Sequence, residues 1–490
     1  MVRRDVLHFR TDRSGNSPVR VMLFFLSAWL ILLWPLVVNG APFYSADSGS
    51  YLRGGEFGFN TGWSMINQWW RSAFTASEPV TAGNDAKAVV AVAIADAGGT
   101  RSLIYSLATY LLRAPGISLL SLAIAQAGTV AFSLTVLRSL IAPQSALAPA
   151  LTIAAAVALL TPAAWYAAYV IPDIFAGVAI ACAVVLTVMF DRVGLALRMA
   201  LVMLTAFCIT VHGSHLPVAF VTLAAGGAAY LWLRRPSPAT DFRCALWFVS
   251  PIVLAVFAML GTSYLAFGEL SLAPKRYPIQ LARSVADGPG AWHLRDHCAT
   301  KQYAICEIFG TNPPRQVGRF LWAEGGVRLR ATPQQMDRIR AEESIIVRRA
   351  ALEYPGHQMR RSVTNTFRQL FAFGPGDLSF GFELVGRQDP TVVNVSPDRP
   401  ALKSYGRLLI YSGFFAAIML LFAVRRKLQP VEIVAVIVVS VGLLANAAVC
   451  GILSGVTDRY QGRVAWVLPA LILMILLRIW SGNKPVATTA

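Results

Sequence analysis

The chain has 490 residues, of which 56% are hydrophobic and 14% are charged, and its formal net charge is +18. Apolar runs of about 18 or more residues recur, and each is long enough to cross a bilayer core of roughly 30 Å. This pattern excludes an ordinary soluble domain and predicts an all-α polytopic membrane protein. The basic residues flank the apolar runs and no aromatic–basic nucleic-acid motif is present. The charge therefore favours anionic headgroups and lipid phosphates over nucleic acid as partners.

The apolar runs predict about ten spanning helices. The expected spans are 21–38, 116–141, 146–160, 169–190, 199–211, 216–233, 245–267, 408–424, 431–453 and 464–480. A signal peptide is the alternative for the first run, but its length and the lack of a small-residue cleavage site favour a retained helix. The resulting divisions are a basic amino terminus (1–20), a seven-span module (21–267) containing an external loop (40–115), an external segment (268–404), three spans (405–480) and a tail (481–490).

Basic clusters set the predicted orientation. Arg3, Arg4, Arg10, Arg13 and Arg20 precede the first span, and further clusters lie at Arg234-Arg235 and Arg425-Arg426-Lys427. The predicted topology places all of them on one face and both long polar segments on the other, as the positive-inside rule requires. We therefore expect both termini to be cytoplasmic in a multi-pass protein of the plasma membrane, the bacterial inner membrane.

The external segment contains two of the six cysteines, Cys298 and Cys306. Two cysteines close in sequence on an oxidising face predict a disulfide. Free thiols are one alternative. Zinc is another, because His293 and His297 are nearby, although their spacing fits no common zinc pattern. Helices are expected near 333–354 and 360–373, and they predict a small, mainly helical cap over the external face. The cap would contribute to acceptor choice or act only in assembly.

Asp47 is the first carboxylate after the first span. A carboxylate beside lipid headgroups is well placed to act as a general base, although Asp also suits a turn. Residues 62–74, with three tryptophans, and residues 101–112 then predict two amphipathic helices lying in the interface. Plain amphipathic linkers are the alternative.

Three polar side chains are expected on the same face as Asp47. Asp173 follows Pro172 at the start of a span, where a capping carboxylate complements the helix dipole. His212 and His215 lie at the outer end of another span, and their spacing places both rings on one side of a helix. Metal or phosphate binding is one interpretation of the pair, and interfacial histidines beside a Gly-Ser turn are the other.

The last external loop, 457–463, contains Arg459, Tyr460 and Arg463. Two arginines outside the membrane run against the positive-inside trend, and an external anion would explain them. Arginine binds a phosphate diester or pyrophosphate through two parallel hydrogen bonds. The alternative is a salt bridge from Arg459 to Asp458 or Asp47.

Together these motifs resemble the membrane-embedded GT-C class of glycosyltransferases, such as the dolichyl-phosphate-mannose protein mannosyltransferases. In that class an Asp in the first external loop is followed by two juxtamembrane helices. An Arg-Pro-Pro-x-Tyr pattern often begins the second of these helices. Asp47-Ser48-Gly49-Ser50-Tyr51 resembles the first element. Arg101-Ser102-Leu103-Ile104-Tyr105 resembles the second, with Ser102 and Leu103 in place of the prolines. Asp458-Arg459-Tyr460 with Leu468-Pro469 resembles a late Arg-Tyr-x-x-Pro pattern, from which Gln461-Gly462-Arg463 departs.

The resemblance implies an inverting transfer of a sugar from a polyprenyl-phosphate donor to a glycan, lipid or protein acceptor. Asp47 would be the general base, and Asp173 would position the acceptor or bind a metal. The implied ligands of the donor phosphate are Arg101, Arg459 and Arg463, and the implied substrate-binding residues are Tyr51, Tyr105, His212, His215 and Tyr460. The resemblance specifies no cofactor and leaves a divalent metal ion open.

Two other functions fit a membrane protein of this composition. A lipid or glycan flippase would need polar residues inside the spans, and Asn446 is one of few candidates. A non-catalytic assembly protein of the cell envelope is the third interpretation. Polar groups at the external surface favour the transferase.

Overall fold

The computed structural model describes residues 17–74, 101–113, 119–234, 238–378, 382–385, 391–394 and 399–482. The predicted basic amino terminus up to residue 16, residues 75–100 of the first external loop, Arg235 and residues 483–490 of the tail lie outside these ranges. Within them, seven helices are long and apolar enough to cross a membrane, and three shorter apolar helices accompany them. The protein is therefore a helical, multi-pass membrane protein.

The described residues up to Phe267 form eleven α-helices. They are α1 (Pro18–Leu32), α2 (Trp34–Asn39), α3 (Ala46–Phe74), α4 (Leu103–Arg113), α5 (Leu120–Ile141), α6 (Leu147–Leu160), α7 (Ala163–Ala167), α8 (Phe175–Thr187), α9 (Leu195–Thr210), α10 (His215–Arg234) and α11 (Pro238–Phe267). Short 3-10 helices occur at Pro172–Ile174 and Phe190–Arg192.

The segment predicted to be external is mainly helical. It contains α12 (Ile279–Asp287), α13 (Pro289–Lys301), α14 (Ala304–Phe309), α15 (Val317–Leu321), α16 (Val327–Arg330), α17 (Pro333–Glu353) and α18 (Pro355–Leu370), followed by an antiparallel pair of strands, β1 (Phe382–Val385) and β2 (Thr391–Asn394). Leu281, Ile305, Phe320, Ile339 and Ile346 belong to its own apolar core. A disulfide joins Cys298 to Cys306. We call residues 268–378 the cap segment.

The chain ends in four helices, α19 (Pro400–Val424), α20 (Pro430–Leu453), α21 (Asp458–Ala465) and α22 (Val467–Trp480). Every residue of α8 is buried, and α21 and α22 pack against it. Around this centre lie helices with exposed apolar side chains, such as Phe257 on α11 and Met419 on α19. An apolar exterior around a buried centre is the arrangement that a lipid-facing bundle requires.

Two sequence-based boundaries differ from the structure. Residues Ala46–Phe74 form one continuous helix, α3. Asp47 therefore lies in the first turn of a helix and not in a loop. The late loop 457–463 is also helical and forms most of α21. In both places the polar residues pack against other parts of the protein, and hydropathy alone does not distinguish such a helix from a loop.

A close contact between α7 and α21 explains the glycine in the Gln461-Gly462-Arg463 sequence. The Tyr166 hydroxyl donates to the Gly374 carbonyl at 3.2 Å and lies 3.1 Å from the Asp458 carbonyl, so the ring lies flat against α21. A Cβ atom at Gly462 would lie 2.5 Å from two carbons of that ring. The absence of a side chain at residue 462 thus permits the packing that fixes α21.

Gly462→Ala is therefore expected to destabilise the protein by about 1–3 kcal/mol through overpacking. Denaturant unfolding in detergent measures this change. Gly455→Ala is the matched control, because no atom lies within 4 Å of a Cβ at that position. Equal stability of the two variants would show that the Tyr166 ring can move aside.

Candidate functional site

The backbone before α3 is attached to the segment before α8. The Phe43 amide donates to the Ala168 carbonyl at 2.9 Å, and the Val170 amide donates to the Phe43 carbonyl at 2.8 Å. The Ser48 hydroxyl donates to the Val170 carbonyl at 2.9 Å. These bonds bring the first turn of α3, with Asp47, close to Asp173 although the two residues are far apart in the chain.

Five charged side chains from four segments meet at this point. Arg101 forms an ion pair with Asp47 Oδ1, and Arg459 Nη1 lies 3.2 Å from Asp47 Oδ2. Arg459 Nε is 3.3 Å from Asp173 Oδ2, and Arg463 Nη1 is 3.0 Å from Asp173 Oδ1. We call this series, Arg101–Asp47–Arg459–Asp173–Arg463, the ion-pair chain. Three guanidinium groups against two carboxylates leave one net positive charge, which favours an anionic ligand.

The two ends of the ion-pair chain differ in burial. The side chain of Asp47 is 19% exposed, whereas Asp173 and Arg463 are 1% and 0% exposed. Capping of a helix was one expectation for Asp173, but its Oδ1 accepts from Arg463 and its Oδ2 has no hydrogen-bond donor. It is instead held between two arginines. The buried end is therefore structural in character, and the Asp47 end is accessible.

Arg463, a predicted phosphate ligand, is buried and does not line the cavity described below. Its guanidinium donates to Asn446 Oδ1 at 2.9 Å and to the Ser214 hydroxyl at 2.8 Å, besides its pairing with Asp173. These partners lie on α20 and in the turn before α10. Because Arg463 is buried and its donors are occupied, we remove it from the predicted phosphate ligands and assign it to the core of the bundle.

A cavity of about 340 Å³ lies next to the ion-pair chain, between the helical bundle and the cap segment. Five of the sequence-predicted residues line it: Tyr51, Arg101, His212, Arg459 and Tyr460. Asp47 is not among the lining residues, but both of its ion-pair partners, Arg101 and Arg459, are. The cavity thus presents two arginines that share one carboxylate.

Tyr105 and His215 are buried and do not line the cavity. The Tyr105 hydroxyl donates to Gln126 Oε1 at 2.7 Å, and its ring meets that of Tyr51 edge to face with centroids 4.8 Å apart. His215 Nδ1 donates to the Cys208 carbonyl at 2.7 Å. Both were predicted to bind substrate. The structure gives them supporting positions behind Tyr51 and His212.

His212 is neutral in this environment. Burial lowers the pKa of its imidazole well below the ordinary value, and the nearby His215 and arginines lower it further. The Ser214 hydroxyl accepts from Arg463, so its own hydrogen is available to His212 Nδ1 at 2.8 Å. This assigns the remaining ring proton to Nε2. A neutral imidazole with an Nε2–H is a hydrogen-bond donor that adds no charge to the cavity wall.

The cap segment supplies residues that sequence analysis missed. Arg276, Tyr277, Gln280 and Glu343 line the cavity opposite the bundle. Glu343 Oε1 accepts the amides of Gln280 and Leu281 at 2.9 and 3.0 Å, and Oε2 lies 2.8 Å from Arg276. Burial raises the pKa of the Glu343 carboxyl, while Arg276 and the two amides oppose the rise.

A sequence signal for Glu343 exists. Met336, Ile339 and Ile346 form the buried face of α17, and Glu343 falls on that face with no exposure. Ile345 and Leu352 are also apolar, but they lie off that face and are 47% and 68% exposed. A charged residue in register with buried apolar positions marks a buried carboxylate that needs partners.

Apolar side chains from the bundle complete the cavity wall. They are Leu103, Ile104, Val211, Pro217, Met259, Val449 and Leu453. Three of the helices involved, α10, α11 and α20, belong to the group able to cross a membrane. The cavity is therefore polar toward the ion-pair chain and the cap segment and apolar toward the spans.

The comparisons with known proteins give no relative from which a function could be transferred. No protein-family model matches the chain, and neither a curated protein nor a solved structure does. The functional argument therefore depends on the geometry of the site.

Asp173→Asn should destabilise the protein by about 3–5 kcal/mol, because it leaves Arg463 buried with an uncompensated charge. Asp47→Asn should cost less, since water reaches Asp47 and Arg459 retains Asp173 as a partner. Unfolding in denaturant, measured on both purified variants, tests the order. A loss at Asp47 as large as that at Asp173 would contradict the assignment of a structural end and an accessible end.

Proposed function

We propose that the protein is a membrane glycosyltransferase that moves a sugar from a polyprenyl-phosphate donor to an acceptor on the external face. The supporting observation is the composition of one cavity wall, where Arg101 and Arg459 lie next to apolar side chains of spanning helices. A lipid-linked phosphate requires this combination. Arginine recognises the phosphate oxygens, and an apolar surface from the spans accommodates the lipid.

The architecture in this proposal is GT-C-like with about ten spans. The shorter apolar helices α6, α9 and the α8 segment from Pro172 join the seven longer ones. Helix α3 and helix α4, which pack together, correspond to the two juxtamembrane helices. Both termini are cytoplasmic in the bacterial inner membrane, and the cap segment lies outside with the cavity beneath it.

Asp47 is the base in this mechanism, and the donor phosphate makes it available. In the structure both oxygens of Asp47 are paired with guanidinium groups, so neither oxygen is free to contact an acceptor hydroxyl. A phosphate that enters the cavity meets the same two arginines from the open side. As Arg101 and Arg459 turn toward the phosphate, Asp47 is released to hydrogen-bond the acceptor hydroxyl.

The transfer step is then a single displacement. The acceptor oxygen attacks the anomeric carbon while its proton passes to Asp47, and the bond from that carbon to the phosphate oxygen breaks with its electron pair. The phosphate changes from a diester with one negative charge to a monoester with two. Arg101 and Arg459 stabilise the charge where it develops, and attack from the opposite side inverts the anomeric centre.

The cap segment places polar groups opposite the arginines, at Arg276, Tyr277 and Gln280. The acceptor must approach from this side, because the bundle side holds the phosphate and the lipid. His212 Nε2–H adds one neutral donor to the sugar site. Acceptor choice is therefore a property of the cap segment in this proposal.

Asp47→Asn tests the base. Asparagine keeps the shape and accepts hydrogen bonds but cannot take the proton, so transfer from a polyprenyl-phosphate sugar should fall by about 10²–10⁴. Glu56→Gln on the same helix removes a carboxylate that does not line the cavity and is the matched control. Full activity of Asp47→Asn, with folded protein confirmed by its thermal midpoint, would place the base elsewhere.

Arg459→Gln tests phosphate binding. Each carboxylate keeps one arginine in this variant, Arg101 for Asp47 and Arg463 for Asp173, so folding should survive. The affinity for the donor, measured by titration with a polyprenyl phosphate, should fall by about 10-fold or more, because the variant loses one charged hydrogen bond.

Arg407→Gln is the control for charge, because Arg407 pairs with neighbouring Asp458 at 2.8 Å but does not line the cavity. If Arg459→Gln and Arg407→Gln both bind the polyprenyl phosphate as tightly as the parent protein does, Arg459 is not part of the binding site.

A further inference from the structure

A second cluster of ligating side chains lies in the cap segment, away from the cavity. His293 and His297 are one helical turn apart on α13, and Glu353 is the last residue of α17. Potential ligand atoms of the three residues all lie within 4.8 Å of one another. In the part of the chain that the structure describes, no other group of three His, Cys, Asp or Glu residues meets this condition.

The distances within this cluster suit a small divalent cation. His293 Nδ1 lies 2.8 Å from Glu353 Oε2, and His297 Nε2 lies 3.2 Å from Glu353 Oε1. Zinc binds histidine nitrogen and carboxylate oxygen at about 2.0–2.2 Å, so two ligands in tetrahedral geometry are roughly 3.3–3.5 Å apart. The three side chains need to move by only about an ångström or less to meet this geometry.

The residues around His293 favour ligation through Nδ1. Its other ring nitrogen, Nε2, lies 3.2 Å from the Tyr303 hydroxyl, and Arg349 donates to the same hydroxyl at 3.2 Å. Metal-bound histidines characteristically donate their second ring N–H to a neighbouring acceptor, which fixes the tautomer and the ring orientation. Tyr303 is positioned to be that acceptor.

Accessibility also fits a metal site. His293 is buried, whereas the side chains of His297 and Glu353 are 35% and 36% exposed. One anchored ligand and two at the surface leave an entry path for an ion. Three protein ligands leave a fourth coordination position for water, as in zinc sites with two histidines and one glutamate.

We propose that His293, His297 and Glu353 bind a zinc ion that links α13 to the end of α17. The link would join the segment held by the Cys298–Cys306 disulfide to the helix that carries Glu343 on the cavity wall. Without metal, the three residues form a polar triad in which His293 Nδ1 donates to Glu353 Oε2 and His297 Nε2 lies 3.2 Å from Glu353 Oε1. Ligation of zinc by His293 Nδ1 places the ring proton of His293 on Nε2, where Tyr303 is positioned to accept it. This site is independent of the proposed transfer reaction.

The test is zinc binding by the full chain, purified in detergent with a tag that contains no histidine. After treatment with a chelator, the protein is titrated with Zn²⁺ and the bound metal is measured by equilibrium dialysis and elemental analysis. We expect one zinc per chain. His297→Ala and Glu353→Gln should each weaken binding by at least about 100-fold, since loss of an outer partner alone costs about 10–100-fold.

Two further variants distinguish ligation from a general effect on the cap segment. Asp296→Asn changes a partly exposed carboxylate next to His297 that pairs with Arg295, and zinc binding should be unchanged. Tyr303→Phe removes the acceptor for His293 and should weaken binding by about 10–100-fold.

Failure to bind zinc stoichiometrically would overturn the proposal and leave the polar triad. Zinc binding that is unaffected in both His297→Ala and Glu353→Gln would also overturn it, because the ion would then be adventitious and located elsewhere. Circular dichroism of each variant shows whether the helical fold is retained. His297 is the decisive position, since its partial exposure makes loss of folding unexpected.

Discussion

The guanidinium of Arg459 lies between two carboxylates, Asp47 and Asp173, and the rest of the site depends on this bridge. Charges removed from water are costly unless each has a partner in good geometry. Here every carboxylate has two arginines, and Arg463 has polar partners from α20 and the turn before α10 in addition. The start of α3, the segment before α8 and α21 therefore meet at one place, and separating the segment before α8 from α21 would leave the buried charges of Asp173 and Arg463 without partners.

The same constraint produces the cavity. Arg101 and Arg459 pair with Asp47 and also line the cavity, so groups that stabilise the fold form the positively charged part of the cavity wall. Arg463 lacks this open side, because Asn446, Ser214 and Asp173 occupy its donors. The three arginines thus differ in their position within the ion-pair chain and not in residue type. Arg101 and Arg459 are accessible from the cavity, whereas Arg463 holds the bundle together.

Sequence reasoning found the helical membrane class, and it selected Asp47, Arg101 and Arg459, because topology alone gathers polar residues on one face. It did not foresee that Arg463, Tyr105 and His215 are buried and lie off the cavity wall, because their burial depends on helices that pack from elsewhere in the chain. It also treated His293 and His297 as a weak metal motif, since the third group, Glu353, comes from another helix 56 positions later. Local patterns identify polar residues in unusual places, but the partners of those residues are set by tertiary contacts that no local pattern contains.

The difference between the two aspartates decides which of them is suited to proton transfer. Asp173 is buried, so protonating it or moving its arginines would leave Arg463 without a counter-charge in the core. Asp47 is partly exposed, and the two arginines that hold it can exchange its oxygens for those of a phosphate with little change in net interaction. A base has to change protonation state in every catalytic cycle, and only the accessible end of the ion-pair chain can do so without unfolding its surroundings. In the proposed reaction, Asp173 would therefore hold Arg459 in position while Asp47 serves as the base.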